Sequence, residues 1–336
     1  MNSKKPLVFF LLALSLCGLV AAAPAPGRVV LGGKAVAMVA DAVYLFPEAK
    51  AKVAAVGGTD QGLGVFLGLV DPGFASKPVL DRAAGAEAYA ALSPDLLVFK
   101  SSMRKSLGPA LDAAGLKQLY LDLETPEDYL RELAVLGEAL GDPARGAALA
   151  AYYRGALDRV AARVARLPES SRPKVLVVQA SAGGYEVPPA AWMQSILAER
   201  AGGVAVWKGA NPGAGWAKVG PEQIAAWDPD AVFVISYREK SETAAAAFRA
   251  DPGLSSLRAS KSGKVHAFPQ DFYSWDQPDS RWALGLSWMA KKLHPSLFAD
   301  LSIGAEAESF FAFCYGIDKA RYEASVKPRL SGALDD

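Results

Sequence analysis

The sequence predicts an α/β protein of two lobes, each with a parallel central sheet, joined by a long rigid helix. Three observations predict it. Short apolar runs bounded by Gly, Pro and Asp alternate with longer helical patterns along the 336 residues. The helix-turn-strand phrase EAYAALSPDLLVF at 87–99 recurs as EQIAAWDPDAVFV at 222–234. A long helical pattern separates the two copies.

Seven apolar runs are predicted as strands, in two sets that correspond to the two lobes. They lie at Val29–Leu31, Val53–Val56, Leu96–Phe99 and Leu119–Leu121 in the first set, and at Val175–Gln179, Val232–Ile235 and Val265–Phe268 in the second. The predicted boundaries are residues 28–124 for the first lobe, 125–167 for a helical segment, and 168–336 for the second lobe with a helical tail.

The helical segment carries clear start and stop signals. Thr125 is a predicted N-cap followed by Pro126 at the first helical position, and Gly141 ends that helix. Asp142-Pro143 begins a second helix, whose apolar stripe continues to Leu167. At about 1.5 Å per residue this stretch spans about 38 Å, enough to join the lobes as a stiff rod.

The N-terminus has the pattern of a secretory signal. Lys4 and Lys5 precede an apolar run that ends at Ala21-Ala22-Ala23, so residues 1–23 are predicted as a signal peptide and the protein as periplasmic or otherwise extracytoplasmic. Cys17 leaves a lipoprotein anchor open as an alternative. Cys314 is the other cysteine, which predicts no internal disulfide and a buried, apolar thiol.

Composition excludes several classes of function. The 36 basic and 35 acidic residues give a formal charge of +1, with no basic stripe for nucleic acid. The two histidines, His266 in a predicted strand and His294 before Pro295, have no second candidate ligand nearby. We therefore predict no catalytic residues, no metal site and no cofactor. A secreted enzyme is the alternative that this composition disfavours.

The sequence resembles the class III substrate-binding proteins of ABC importers along nearly all of its mature length. The resemblance rests on RVVLGG, AAVGGTD and PVLDRAAGAEAYAALSPDLLVFKSS in the first half, and on RPKVLVVQ, ILAERAGGVAVW, WAKVGPEQIAAWDPDAVFVIS and LSSLRASKSGKVHAFP in the second. YSWDQPDSRWALGLSWMAKKLHPSLF and the tail through FFAFCYGI complete it. Two departures, Gly32-Gly33-Lys34 after the first strand and no Asn near Val204, leave the ligand open.

The resemblance implies two Rossmann-like lobes with a ligand cleft between them. It also implies a monomer that captures a small solute outside the membrane and delivers it to a permease. Family members present one surface glutamate per lobe to permease arginines, and Glu87 and Glu222 match those positions. The repeated phrase would then mark equivalent places on two lobes that dock on a two-fold importer. Two solvated acids at helix starts are the simpler alternative.

Loops after the strands should supply the cleft, because ligands bind at the carboxyl ends of such strands. The candidate ligand-binding residues are Lys34, Thr59, Asp60, Lys100, Ser101, Tyr185, Trp216, Tyr237, Arg238, Tyr273 and Trp275. Trp216 matches a position where cobalamin-binding relatives place a tryptophan. Aromatic rings suit a bulky chelate, and Lys34, Lys100 and Arg238 suit an anionic one.

Other aromatic residues have a simpler interpretation as packing. These are Trp192, Trp207, Trp227, Trp282 and Trp288. Arg281 could either reach the cleft or pair with Asp276 or Asp279. The predicted ligand is a ferric siderophore or similar iron complex. A corrinoid, haem and a molybdate- or tungstate-type oxyanion remain open, and haem is disfavoured because no cleft loop carries a histidine.

Overall fold

The structure is a computed structural model that describes residues 25–59, 62–181, 183–213, 215–332 and 334. The predicted signal peptide, Cys17 and Asp60 lie outside the described residues. Within the described part of the chain, every helix is too short or too polar to cross a lipid bilayer.

The first lobe contains a parallel sheet that the sequence largely predicts. Its strands are β1 (Val29–Leu31), β2 (Val53–Gly57), β3 (Val79–Leu80), β4 (Leu96–Lys100) and β5 (Gln118–Leu121). Their spatial order is β3-β2-β1-β4-β5, and every neighbouring pair is parallel. The order reverses beside β1, which is the switch point where open α/β sheets leave a crevice.

The second lobe repeats this arrangement and adds a hairpin. Its strands are β6 (Lys174–Ser181), β7 (Gly184–Val187), β8 (Val204–Ala205), β9 (Ala217–Val219), β10 (Ala231–Ile235) and β11 (Val265–Ala267). The order β8-β6-β10-β11 is parallel throughout, like β2-β1-β4-β5 in the first lobe. At its far end β6 pairs antiparallel with β7, and β7 with β9.

Helices cover both sheets and form the connection and the tail. They are α1 (Val36–Val43), α2 (Ala49–Lys52), α3 (Leu67–Val70), α4 (Ala86–Ala90), α5 (Arg104–Ala113), α6 (Pro126–Leu140), α7 (Pro143–Val164), α8 (Met193–Arg200), α9 (Pro221–Trp227), α10 (Ser241–Ala250), α11 (Arg258–Lys261), α12 (Trp282–Leu293), α13 (Ile303–Tyr315) and α14 (Lys319–Arg321). The two-lobed α/β fold predicted from the sequence is confirmed.

The connecting helix α7 is fixed at both ends, which explains its role as a rod. The Asp142 side chain caps it by accepting from the Arg145 amide at 3.0 Å. Near its start Arg145 donates to the Leu45 carbonyl at 2.9 Å in the first lobe. Near its end Arg163 donates to the Leu297 carbonyl at 3.1 Å in the second. The 22-residue helix is therefore bonded to a different lobe near each of its ends.

The repeated phrase folds the same way in both lobes. Each copy begins in a short helix, α4 or α9, and the residue before the proline lies in the left-handed region, Ser93 (φ 45°) or Asp228 (φ 42°). The aspartate after the proline then bonds the chain that begins the neighbouring strand. Asp95 accepts from the Arg28 amide and Asp230 from the Lys174 amide, both at 2.8 Å. The repeat therefore joins two strands at equivalent places in two similar sheets.

Four short strands, β3, β7, β8 and β9, were not predicted, and β7 lies where a loop was expected. Tyr185 was expected in a loop that follows the strand predicted at Val175–Gln179. Instead β6 continues to Ser181, and Tyr185 lies in the returning strand β7. The strands β3, β8 and β9 are two or three residues long, too short to show the apolar pattern that predicts a strand.

Candidate functional site

A cavity of about 190 Å³ lies between the lobes, at the carboxyl ends of the strands. It is lined by Ala35, Met38, Glu124, Trp192, Gln194, Trp216, Tyr237, Gln277 and Pro278. Ala35 and Met38 come from the start of α1, and the aromatic residues come from the second lobe. A larger cavity of about 380 Å³ lies beside Asp95 and Lys117, at the amino ends of β4 and β5. Parallel sheets bind ligands at the opposite edge, so the interlobe cavity is the candidate site.

Three aromatic rings form one corner of the cavity. Trp192 and Trp216 lie 5.9 Å apart between ring centroids at 83°, and Trp216 and Tyr237 lie 6.0 Å apart at 65°. All three side chains are half-buried, so each ring packs on the second lobe and still borders the cavity. Such a corner offers a large, rigid apolar surface to a bulky ligand.

A buried polar network holds this corner in place. Asp276 is fully buried, and one of its oxygens accepts from the Tyr237 hydroxyl at 2.7 Å and from Gln194 Nε2 at 3.0 Å. Its other oxygen accepts from the Ser274 hydroxyl. Burial raises the pKa of Asp276, which these three donors oppose. Burial, and then the Asp276 carboxylate, raises the pKa of Tyr237 well above its usual value, so the phenol stays protonated.

Lys100 is at the site but is already engaged. Its ammonium group lies 2.7 Å from the Glu124 carboxylate and also donates to the Asp122 carbonyl. The Lys100 side chain is 5% exposed, against 38% for Glu124, so the acid rather than the base borders the cavity. The expectation that Lys100 binds an anionic ligand does not fit this pairing.

Two aromatic residues expected in the cleft lie beneath it. Trp275 is fully buried and donates from its indole nitrogen to Asp271 at 2.9 Å. Tyr273 is 6% exposed, and its ring centroid lies 5.2 Å from the Arg281 guanidinium carbon. Both belong to the segment that packs the second lobe against the first, where the Leu63 amide donates to the Phe272 carbonyl at 2.7 Å. Neither side chain borders the cavity.

The remaining predicted contacts surround the cavity without lining it. Tyr185 donates to Asp251 at 2.8 Å and packs on Phe248, so it faces α10. Three of these residues are exposed: Lys34, Thr59 and Arg238. Ser101 is half-buried and begins a single 3-10 turn, Ser101–Met103. Thr59 borders a separate surface depression beside β3.

Arg281 lies under the cavity rather than in it. Its guanidinium group contacts Asp41 Oδ2 at 2.5 Å and Asp271 Oδ1 at 2.7 Å, with Asp279 Oδ2 at 3.7 Å. Of the two partners considered from sequence, Asp279 is confirmed, whereas Asp276 bonds Tyr237 instead. Asp41 comes from α1, so this buried cluster ties the two lobes together.

Seven of the nine residues that line the cavity were not predicted from the sequence, among them Trp192, Gln194 and Glu124. Trp192 was interpreted as packing, but it stands at the N-cap of α8 and borders the cavity. Gln194 is buried inside the same helix, and Glu124 follows β5. A signal for Trp192 was the preceding Pro188-Pro189, which follows β7 and leads into a turn before α8. Trp207, Trp282 and Trp288 are fully buried, as predicted for packing.

Glu87 and Glu222 occupy equivalent surface positions. Each is exposed in the first turn of its helix, two residues after a glycine that caps it, Gly85 or Gly220. Each carboxylate folds back over that glycine, so that a Cβ placed there would lie 3.1 Å or 2.9 Å from Oε2. The two lobes therefore carry matching exposed acids.

Two similar lobes, a fixed connecting helix and a cavity at the switch points define a two-lobed solute-binding protein. A family model described as periplasmic binding protein matches residues 29–272. The chain belongs to this family. Its members are substrate-binding proteins of ABC transporters that work outside the cytoplasmic membrane, rather than enzymes.

Solved structures share the fold. An ABC transporter solute-binding protein from Sulfurospirillum deleyianum is 20% identical with a TM-score of 0.75, covering 91% of this chain and 95% of that one. A molybdate periplasmic binding protein from Haemophilus influenzae, bound to molybdate, is 17% identical with a TM-score of 0.70, covering 88% and 94%. A periplasmic haem-binding protein from Pseudomonas aeruginosa is 25% identical with a TM-score of 0.60, covering 81% and 94%. Comparison with curated proteins gave no match.

Proposed function

We propose that this protein captures a metal chelate, a ferric siderophore or similar iron complex, between its lobes and delivers it to an ABC permease. The observation that carries the proposal is the aromatic corner of Trp192, Trp216 and Tyr237 in the interlobe cavity. Rigid rings suit the broad apolar surface of a chelate better than a small, fully hydrated oxyanion. Residues 28–124 and 168–336 would form the two lobes, with residues 125–167 between them.

The same proposal includes export and docking. Residues 1–23 would direct the protein out of the cytoplasm, with lipid attachment at Cys17 as the alternative to free diffusion. Glu87 and Glu222 would pair with basic residues of the permease. Their matching exposure and their equivalent positions in the two repeats support this role, because a two-fold importer presents the same surface twice.

A panel of ligands tests whether the bound solute is an iron chelate. The purified mature protein would be heated alone and with ferric siderophores, cobalamin, haemin or molybdate, because a ligand of the folded state raises the melting temperature. We expect a rise with at least one ferric siderophore. A rise with molybdate or cobalamin alone would contradict the iron assignment. No histidine lines the described part of the cavity, so we expect no axial histidine signature with haemin.

Charge reversal tests the docking acids. Glu87→Lys and Glu222→Lys should leave ligand affinity unchanged and reduce uptake in cells that carry the cognate permease, and the double variant should reduce it further. Glu169→Lys is the matched control, since Glu169 is also exposed at the start of a short helical turn. Normal uptake by the double variant would show that these acids are only solvated surface groups.

A further inference from the structure

The charges at the cavity are those of a site for a cation. Among its described lining residues, Glu124 is acidic and none is basic. The ammonium group of Lys100 is already paired with Glu124. A second carboxylate, that of Asp276, lies directly behind Tyr237. The Lys100–Glu124 pair has no net charge, but its carboxylate borders the cavity while its ammonium group is buried, so a cationic group would approach the negative end of the pair.

Gln194 presents a hydrogen-bond acceptor that lacks a donor. The side chain is 3% exposed, and its Oε1 has no hydrogen-bond partner among the described residues. The orientation of the amide is fixed because its Nε2 donates to the Asp276 carboxylate at 3.0 Å. Reversing the amide would bring two acceptors together. A buried acceptor left unsatisfied is unfavourable, so it favours a ligand that donates N–H.

The aromatic corner is suited to the same group. The faces of tryptophan and tyrosine rings are electron-rich and attract an ammonium group within about 6 Å of the ring centroid. Trp192 and Trp216 stand nearly perpendicular, at 83°, with Tyr237 beside them. A compact cationic group in this corner would contact more than one ring while donating to Gln194.

We propose that the part of the ligand bound in this corner is a positively charged, N–H-bearing group such as a primary alkylammonium. The iron chelate would then carry a cationic group at the end that enters this corner. This inference rests on the proposed function for the identity of the rest of the ligand. It differs from the anionic complex expected from sequence, because Lys100 is paired with Glu124.

Three matched probes test the charge preference. They are a ferric trihydroxamate with a free primary ammonium, the same complex with that amine acetylated, and a ferric tris-catecholate of charge about −3, each titrated by calorimetry. We expect the ammonium form to bind about tenfold more tightly than the acetylated form, and the catecholate to bind least. Equal affinity for the first two, or a preference for the catecholate, would overturn the inference while leaving the iron-chelate function intact.

A simpler pair of probes separates the two proposals. If no ferric complex binds, the proposed iron ligand is wrong, and the inference is judged with n-propylammonium against propionate, followed by tryptophan fluorescence. Quenching by the ammonium ion alone supports the cationic site. No response to the ammonium ion overturns it.

Substitutions of the cavity-lining residues test where the cationic group binds. Trp192→Ala and Gln194→Met should each reduce the preference for the probe with the free ammonium, with unchanged melting temperature as the check on folding. Trp227→Ala is the control, because Trp227 is half-buried at the end of α9 and does not line the cavity. A full preference in Trp192→Ala would contradict the assigned position.

Discussion

The guanidinium group of Arg281 and the carboxylate of Asp41 lie 2.5 Å apart, and both side chains are almost completely buried. Asp41 belongs to the first lobe and Arg281 precedes α12 in the second, so this ion pair crosses between the lobes. The same guanidinium serves Asp271 and Asp279. It also stacks on Phe66 with its central carbon 4.3 Å from the ring centroid. One cation therefore holds three carboxyl groups beneath the ligand cavity.

Removing Arg281 should destabilise the protein strongly. In Arg281→Met three carboxyl groups would remain buried without their counter-ion, and the expected loss in the free energy of unfolding is about 3–5 kcal/mol. Urea unfolding measures it. The control is Arg159→Met, which breaks an ion pair to Glu306 whose side chains are 49% and 27% exposed. That change should cost about 0–1 kcal/mol. Similar losses in the two variants would contradict the role assigned to Arg281.

The Asp41 carboxyl should make stability depend on pH. Burial raises the pKa of Asp41 from 3.8 to about 6, against the lowering effect of Arg281. Between these two values the folded protein holds a proton that the unfolded chain releases, so the free energy of unfolding rises as the pH falls through this window. Asn cannot titrate, so Asp41→Asn should remove this contribution.

Urea unfolding at pH 7.5 and pH 5.0 tests the Asp41 prediction. On going to pH 5.0 the wild type should gain about 1 kcal/mol relative to Asp41→Asn. Burial also raises the pKa of Asp279 and of Asp276, so the variant should keep some pH dependence of the same sign. Parallel pH profiles for wild type and variant would show that Asp41 does not titrate in this range.

Local signals were sufficient to predict most of the fold. Helix α6 was predicted to its ends because Thr125, Pro126 and Gly141 act within a few residues of one another. The predicted strands are continuous apolar runs, as expected where both faces of a parallel sheet are covered. The hairpin β6–β7 was not predictable, because its second strand is stabilised by pairing with β9, more than thirty residues later.

The site was less predictable than the fold. Trp216 and Tyr237 could be placed in the cleft because each follows or precedes a strand. Whether an aromatic ring faces a cavity or the core depends on long-range packing. For this reason the sequence did not show that Trp192 borders the cavity and that Trp275 is buried beneath it. The neutralisation of Lys100 likewise depends on Glu124, a residue 24 positions away whose carboxylate reaches it only in the folded chain.

Gly285 should tolerate no side chain, because α12 passes against the backbone of the loop that carries Trp275. A Cβ at Gly285 would lie 2.2 Å from the Trp275 carbonyl oxygen. Gly285→Ala should therefore force α12 and the loop apart and reduce the free energy of unfolding by more than about 2 kcal/mol, measured by urea unfolding.

Gly155→Ala in α7 is the matched control, since the nearest atom to its Cβ would be the flexible end of Arg159 at 3.7 Å. Alanine there should stabilise the protein by about 0.5–1 kcal/mol, because glycine weakens a helix interior. Because the loop also carries Asp276, Gly285→Ala should lower ligand affinity as well, and unchanged stability and affinity would contradict the close approach.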